Sequence, residues 1–158
     1  AMRFSGRTGA AFSAVLLAAA CATPPPPLPS AESSSAQQSA VDFLEAFKAL
    51  DSARFDPFFA EEATMFFPDG PFPPARVEGK AAVTAAFHRF FEMARERGVT
   101  RLNIQPTDLQ TQDYGAFAVV SFHLRGNDNI GRRSIVMRRD EQGWRIVHFH
   151  ASALEQSP

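Results

Sequence analysis

The side chains best suited to acid-base or metal chemistry in this chain are four histidines and a single cysteine. Two of the histidines alternate in "GWRIVHFHASAL", residues 143–154. On an extended strand Trp144, Ile146, His148, His150 and Ser152 share one face, while Arg145, Val147, Phe149 and Ala151 share the other. An H-x-H pair on one strand face can bind a transition metal, but no third ligand stands nearby in sequence, so neither a metal nor another cofactor is expected. His123 is the catalytic candidate. An ordinary imidazole titrates near ~6.5 and can act as acid or base, and Ser121 on the same strand face could orient it. The competing reading is a partly buried histidine bonded to the backbone. Asp69, Asp113 and Tyr114 offer two carboxyls and a phenol, but they stand by glycines in turn contexts that account for them without catalysis. His88 borders the apolar stripe of a helix and is read as structural. Arg132, Arg133, Arg138 and Arg139 are read as a dispersed, solvated basic set on one hairpin.

Composition bounds the partners. The chain has 158 residues, room for one domain, and 16 basic against 17 acidic side chains is too even for a nucleic-acid footprint. Sixteen Phe stand against one Trp and one Tyr, which implies a large aromatic interior with few polar handles. The lone cysteine excludes an internal disulfide framework and a cysteine-based zinc site.

The amino-terminal segment reads as an export signal. Arg3 and Arg7 precede an apolar run, Ala10 to Ala20, that is shorter than the ~20 residues needed to span a bilayer. It ends in "LLAAACATPPPP", which resembles a bacterial lipoprotein signal whose Cys becomes the lipidated first residue. Residues 1–21 are therefore expected to form a signal peptide ending at Cys21, with ordinary secretion after Ala18-Ala19-Ala20 as the alternative. Either places the protein in the bacterial periplasm or cell envelope, touching membrane only through a lipid anchor. Residues 22–38, rich in Pro, Ser and Gln, read as an extended linker, with the domain proper at 39–154.

The elements that must position the candidate residues follow from periodicity. Val41, Leu44, Phe47 and Leu50 predict a helix from Ala36 to about Leu50. Ser52 is the expected N-cap of a second short helix carrying Phe55, Phe58 and Phe59, before a brief strand in "ATMFFP". "PDGPFPPARVEG" predicts an irregular rim loop. A long helix from Gly79 to about Arg97 carries Val83, Phe87, Phe90 and Phe91, with Gly98 as its stop. Residues 101–113, 115–125, 130–139 and 143–153 predict an antiparallel meander, so the class is α+β.

That element order, with "EEATMFFPDG", "RVEGKAAV" and "RRDEQGWRIVHFHASAL", resembles the NTF2-like superfamily. The likeness is greatest to SnoaL-like proteins and to the association domain of calcium/calmodulin-dependent protein kinase II. It implies a cone in which a strongly curved antiparallel sheet wraps a long helix around a pocket. It also implies that Val147, Phe149 and Ala151 face the pocket, while Trp144, Ile146, His148 and His150 lie on the outer sheet face, where a homodimer is expected. Under the same resemblance the ligand-binding set is Phe43, Phe47, Phe55, Phe67, Phe117, Val119, Ser121, His123, Ser134, Val136, Val147 and Phe149. The tyrosine and the base of ketosteroid isomerase fall on Phe43 and Phe67, and its second acid on Ser134 or Ile135, so that mechanism is not expected. Three arginine positions of the association-domain pocket fall on Ser121, Ser134 and Ala151. The expectation is a small apolar molecule bound in a mostly aromatic cavity, and whether Ser121 and His123 line an open cavity above ~300 Å³ separates the binding and enzyme readings from a purely structural one. The alternatives are an isomerase, cyclase or dehydratase acting on a hydrophobic carbonyl compound through His123, and a structural oligomerisation module of the cell envelope.

Overall fold

The computed structural model describes residues 35–126 and 130–154. The expected signal peptide, Cys21 and the linker up to residue 34 lie outside the described residues. Helix α1 spans Ala36–Lys48, capped by Ser35, whose hydroxyl accepts from the Gln38 amide at 3.1 Å. Helix α2 is a single turn, Ser52–Phe55. Its cap is Asp51, one residue before the expected Ser52, because the Asp51 carboxylate accepts from the Arg54 amide at 3.1 Å.

A 3₁₀ turn at Asp56–Phe58 leads directly into β1, Phe59–Phe66. Phe59 is thus a strand residue and not part of the helical stripe: the fixed φ of Pro57 suits the turn but cannot continue the preceding α-helix. The Pro-rich loop that follows contains one regular piece, β2 at Val77–Glu78, paired antiparallel with Thr64 and Met65 of β1. Helix α3, Lys80–Glu96, is bracketed by Gly79 at φ 87° and Gly98 at φ 78°, conformations that a side chain would strain.

Strands β3 (Gln105–Asp113), β4 (Phe117–Arg125), β5 (Ile130–Asp140) and β6 (Gly143–Ala153) form the meander. The six-stranded sheet runs β2-β1-β6-β5-β4-β3, antiparallel throughout except for β1 beside β6, which is parallel. The expected α+β class and curled sheet are those observed.

The concave face packs on α1 and α3 through aromatic rings. Phe55 is fully buried, with its ring centroid 5.0 Å from Phe43, 4.7 Å from Phe87 and 5.3 Å from Phe91. Phe43 of α1 meets Phe149 of β6 edge-on at 5.8 Å, which fixes Phe149 on the face toward the helices. From this anchor the pairing assigns every neighbouring residue. Ile135 stands opposite Phe149 and Val120 opposite Ile135, and both are fully buried. Ala118, Val120, Phe122 and Leu124 of β4 therefore point inward with Arg133, Ile135 and Met137 of β5.

Two expected placements are corrected by this register. Phe117, Val119, Ser121 and His123, and with them Ser134 and Val136, lie on the outer face: Ser121 pairs with Ser134, Val119 with Val136 and His123 with Arg132. Strict alternation also fails along β6. Val136 pairs with His148 but Met137 pairs with Ile146, so Val147 is an extra residue in the ladder. The bulge turns Trp144 and Ile146 to the core, 4% and 0% exposed, while Phe149 and Ala151 still face inward. His148 and His150 remain on the outer face, and Val147 occupies the bulge, not the inner wall.

Candidate functional site

Between α1, α3 and the inner sheet face lies a cavity of ≈ 50 Å³ at the bottom of a cleft of ≈ 400 Å³, mouth included. Its walls come from Phe43, Leu44 and Phe47 of α1, Met65 of β1, Phe87 of α3, Phe122 and Leu124 of β4, Arg133 of β5, and Phe149 and Ala151 of β6. The Pro-rich loop supplies Phe67, Pro68 and Phe72. Phe67 and Phe72 stack at 4.5 Å with their planes 12° apart, and Phe72 also lies 5.5 Å from Phe90 of α3. The rim loop thus closes an opening that no helix or strand covers.

Of the expected ligand-binding residues, the fold brings Phe43, Phe47, Phe67 and Phe149 together on this cavity. Phe55 lies deeper, behind Phe43 in the core. Ser121, His123 and Ser134 instead line an open depression of ≈ 250 Å³ on the outer face, with Asp108, Gln110 and Arg132, and Phe122 and Arg133 border both this depression and the inner cleft. There His123 Nδ1 stands 3.9 Å from the Asp108 carboxylate, too far for a hydrogen bond. The enclosed volume is much smaller than the ~300 Å³ that separates the readings, because packed rings fill the throat.

Sequence reading missed Arg133 and Phe122. The signal for Phe122 was present: the set Ala118, Val120, Phe122, Leu124 is wholly apolar, whereas its alternate carries Ser121 and His123. Arg133 had no such signal, since an arginine flanked by Arg132 reads as surface. It projects inward, and burial lowers its guanidinium from the ordinary arginine range to about 10, which leaves it cationic at neutral pH. Arg138 does bind at the surface, to Glu62, and Arg139 lies 6.0 Å over the ring of Trp144.

The remaining polar candidates hold structure together. His88 Nε2 is 2.8 Å from the Asp56 carboxylate, tying α3 to the 3₁₀ turn. Asp113 accepts from the Gly115 amide at 2.8 Å and shapes the β3–β4 turn, where Tyr114 is exposed. His148 Nδ1 is 2.8 Å from the Thr64 hydroxyl, joining β6 to β1. Burial, with the charges of His150 and Arg76 adding to it, holds His148 below the usual histidine range. Among the described residues no group of three or more His, Cys, Asp or Glu side chains is placed to hold a metal ion.

A curled sheet wrapped on a long helix around an aromatic throat places the chain in the NTF2-like class of folds. Solved structures agree. A candidate dehydratase of the NTF2-like family from Streptomyces avermitilis superposes with a TM-score of 0.62 at 17% identity, over 75% of this chain and 93% of that one. A candidate calcium/calmodulin-dependent protein kinase type II association domain from Thiobacillus denitrificans gives 0.61 at 23% identity, over 76% and 95%. A candidate ketosteroid isomerase from Parabacteroides distasonis gives 0.56 at 16% identity, over 73% and 86%. At these identities the likeness establishes the fold alone. The profile of the SnoaL-like domain matches residues 37–156, and the chain belongs to that family. No curated protein sequence matches it.

Proposed function

We propose that the domain binds a small, largely apolar molecule in its inner cleft and does not transform it by acid-base chemistry. One observation carries this reading: among the described residues that line the cleft, the single ionisable side chain is Arg133, and an arginine neither gives nor takes a proton near neutral pH. His123, on the other face of the sheet, cannot reach a molecule held there. The ≈ 50 Å³ of enclosed room accepts little more than one or two water-sized groups, so the ligand enters as the Phe67–Phe72 stack swings out. A loop rich in proline, anchored at one end by β2, is the part of the wall that can move without breaking a helix or the sheet.

The test is titration with the neutral fluorescent probe N-phenyl-1-naphthylamine. Saturable binding at one site is expected, strengthened in Phe72→Ala and weakened in Ala151→Leu, whose added carbons would enter the cleft. Signal that never saturates, or that ignores both substitutions, overturns the reading.

A second reading concerns the outer face. Phe66 and Phe117 are 38% and 47% exposed there, beside half-buried Val119, Val136 and His148. This apolar strip suits a second copy of the chain, giving a homodimer through the sheet with His148 and His150 inside the contact and Trp144 and Ile146 beneath it. Export to the periplasm or cell envelope, with Cys21 as the lipid anchor, completes the proposal.

A further inference from the structure

We infer that the cleft selects an acid: an amphipathic monocarboxylate whose apolar body lies among the phenylalanines and whose head group is held by Arg133. The inference rests on the cleft being a ligand site and adds what that site recognises. Arg133 stands on the inner face of β5, opposite Phe122 of β4 and Ala151 of β6, and its side chain forms part of the cleft wall. Its Nη1 donates to two backbone carbonyls, Ser152 at 3.0 Å and Arg132 at 2.9 Å. No carboxylate among the described residues lies within ion-pair distance of it; the ion-paired arginines are Arg76, Arg101, Arg138 and Arg145.

The carbonyls orient the guanidinium but do not neutralise it. Its remaining edge, Nε–H with the hydrogens of Nη2, is the fork that matches the two oxygens of a carboxylate. A partly buried cation beside aromatic rings and with no counter-ion among the described residues is costly, and a ligand carboxylate would relieve that cost while the rings bury its hydrocarbon. The place of the guanidinium is built into the strand. A Cβ added at Gly131 would stand 2.2 Å from Nη1 and 2.9 Å from Nη2, so glycine there is what lets the guanidinium occupy its place. A phosphate would ask for more donors than this one side chain has free, and a dicarboxylate would leave its second charge in the rings.

The experiment compares 3-phenylpropionate with its neutral isostere, 3-phenylpropionamide, by isothermal titration calorimetry on the whole chain, with N-phenyl-1-naphthylamine as an independent report of the cleft. The acid is expected to bind more tightly than the amide by about tenfold or more, the usual scale for a charge-assisted pair. In Arg133→Gln the acid should lose its roughly tenfold advantage over the amide. Gly131→Ala is the gentler variant, because the added methyl displaces only the far end of a long side chain, and it should reduce the preference without altering the circular dichroism. Equal affinity for acid and amide, or a preference that survives Arg133→Gln, overturns the inference while naphthylamine binding keeps the cleft as a site. Failure of all three compounds to bind overturns the cleft as a site and the inference with it.

Discussion

Ile146→Ala and Val147→Ala form a paired perturbation that tests the bulge on which the placement of β6 depends. Ile146 is fully buried, opposite Met137 on one side and Phe59 on the other, so its side chain has no route to water. Truncation removes three carbons, a transfer loss of about 2.4 kcal/mol at ~0.8 kcal/mol per buried carbon. The void between β1 and β5 adds to this, within the range of about 2–5 kcal/mol measured for such changes. Val147, the extra residue of the bulge, is only partly buried and should cost under about 1 kcal/mol. Urea unfolding followed by fluorescence of the sole tryptophan reads both, since Trp144 lies buried two residues from the mutated site. With a slope of about 1.5 kcal/mol per molar, the Ile146→Ala midpoint should fall by roughly 1.5 M or more, with a much smaller change for Val147→Ala. Uninterrupted alternation from Phe149 would place Val147 inside and Ile146 outside. A larger loss for Val147→Ala than for Ile146→Ala would therefore refute the bulge and the correction drawn from it.

Phe55→Ala removes a ring that touches Phe43, Phe59, Phe87 and Phe91 and should cost about 3–5 kcal/mol, read as a lowered melting temperature; a loss below about 1 kcal/mol would mean that the ring cluster is not the centre of the core. His148 binds its proton less readily folded than unfolded, so its contribution is complete above the unfolded value of about 6.5 and is lost as pH falls through that value toward the lower folded one. Melting temperatures between about pH 7.5 and 5.5 should therefore drop on acidification, and less so in His148→Gln, with an unchanged slope counting against the assignment. Val136→Glu, on the outer face opposite Val119 and His148, should convert a homodimer to a monomer in sedimentation velocity without changing the circular dichroism. A wild-type protein that stays monomeric at high concentration removes the dimer proposal.

Local signals were enough to order the elements. Helical spacing of apolar residues located α1 and α3, paired glycines marked the ends of the long helix, and turn residues separated the four strands of the meander, because these features depend on neighbours a few positions away in the chain. They also made the aromatic interior legible, since Phe43, Phe47, Phe67 and Phe149 have nowhere else to go in a small domain. What they left open was parity. On β4 both alternating sets begin apolar, Phe117 and Val119 against Ala118 and Val120, and only Ser121 and His123 farther along the strand mark the outer set. On β6 the apolar phase changes between Ile146 and Val147, and a ladder of hydrogen bonds to β5 was needed to show that one residue drops out of register there. Parity was decisive for the site, because a shift of one residue moves a side chain across the whole sheet. The sequence by itself determined the class of fold and its greasy centre; the tertiary structure alone decided that His123 faces away from that centre and Arg133 into it. The reason is that the facing of a strand residue is set by cross-strand partners distant in the chain, and the periodicity within one strand reflects them only in part.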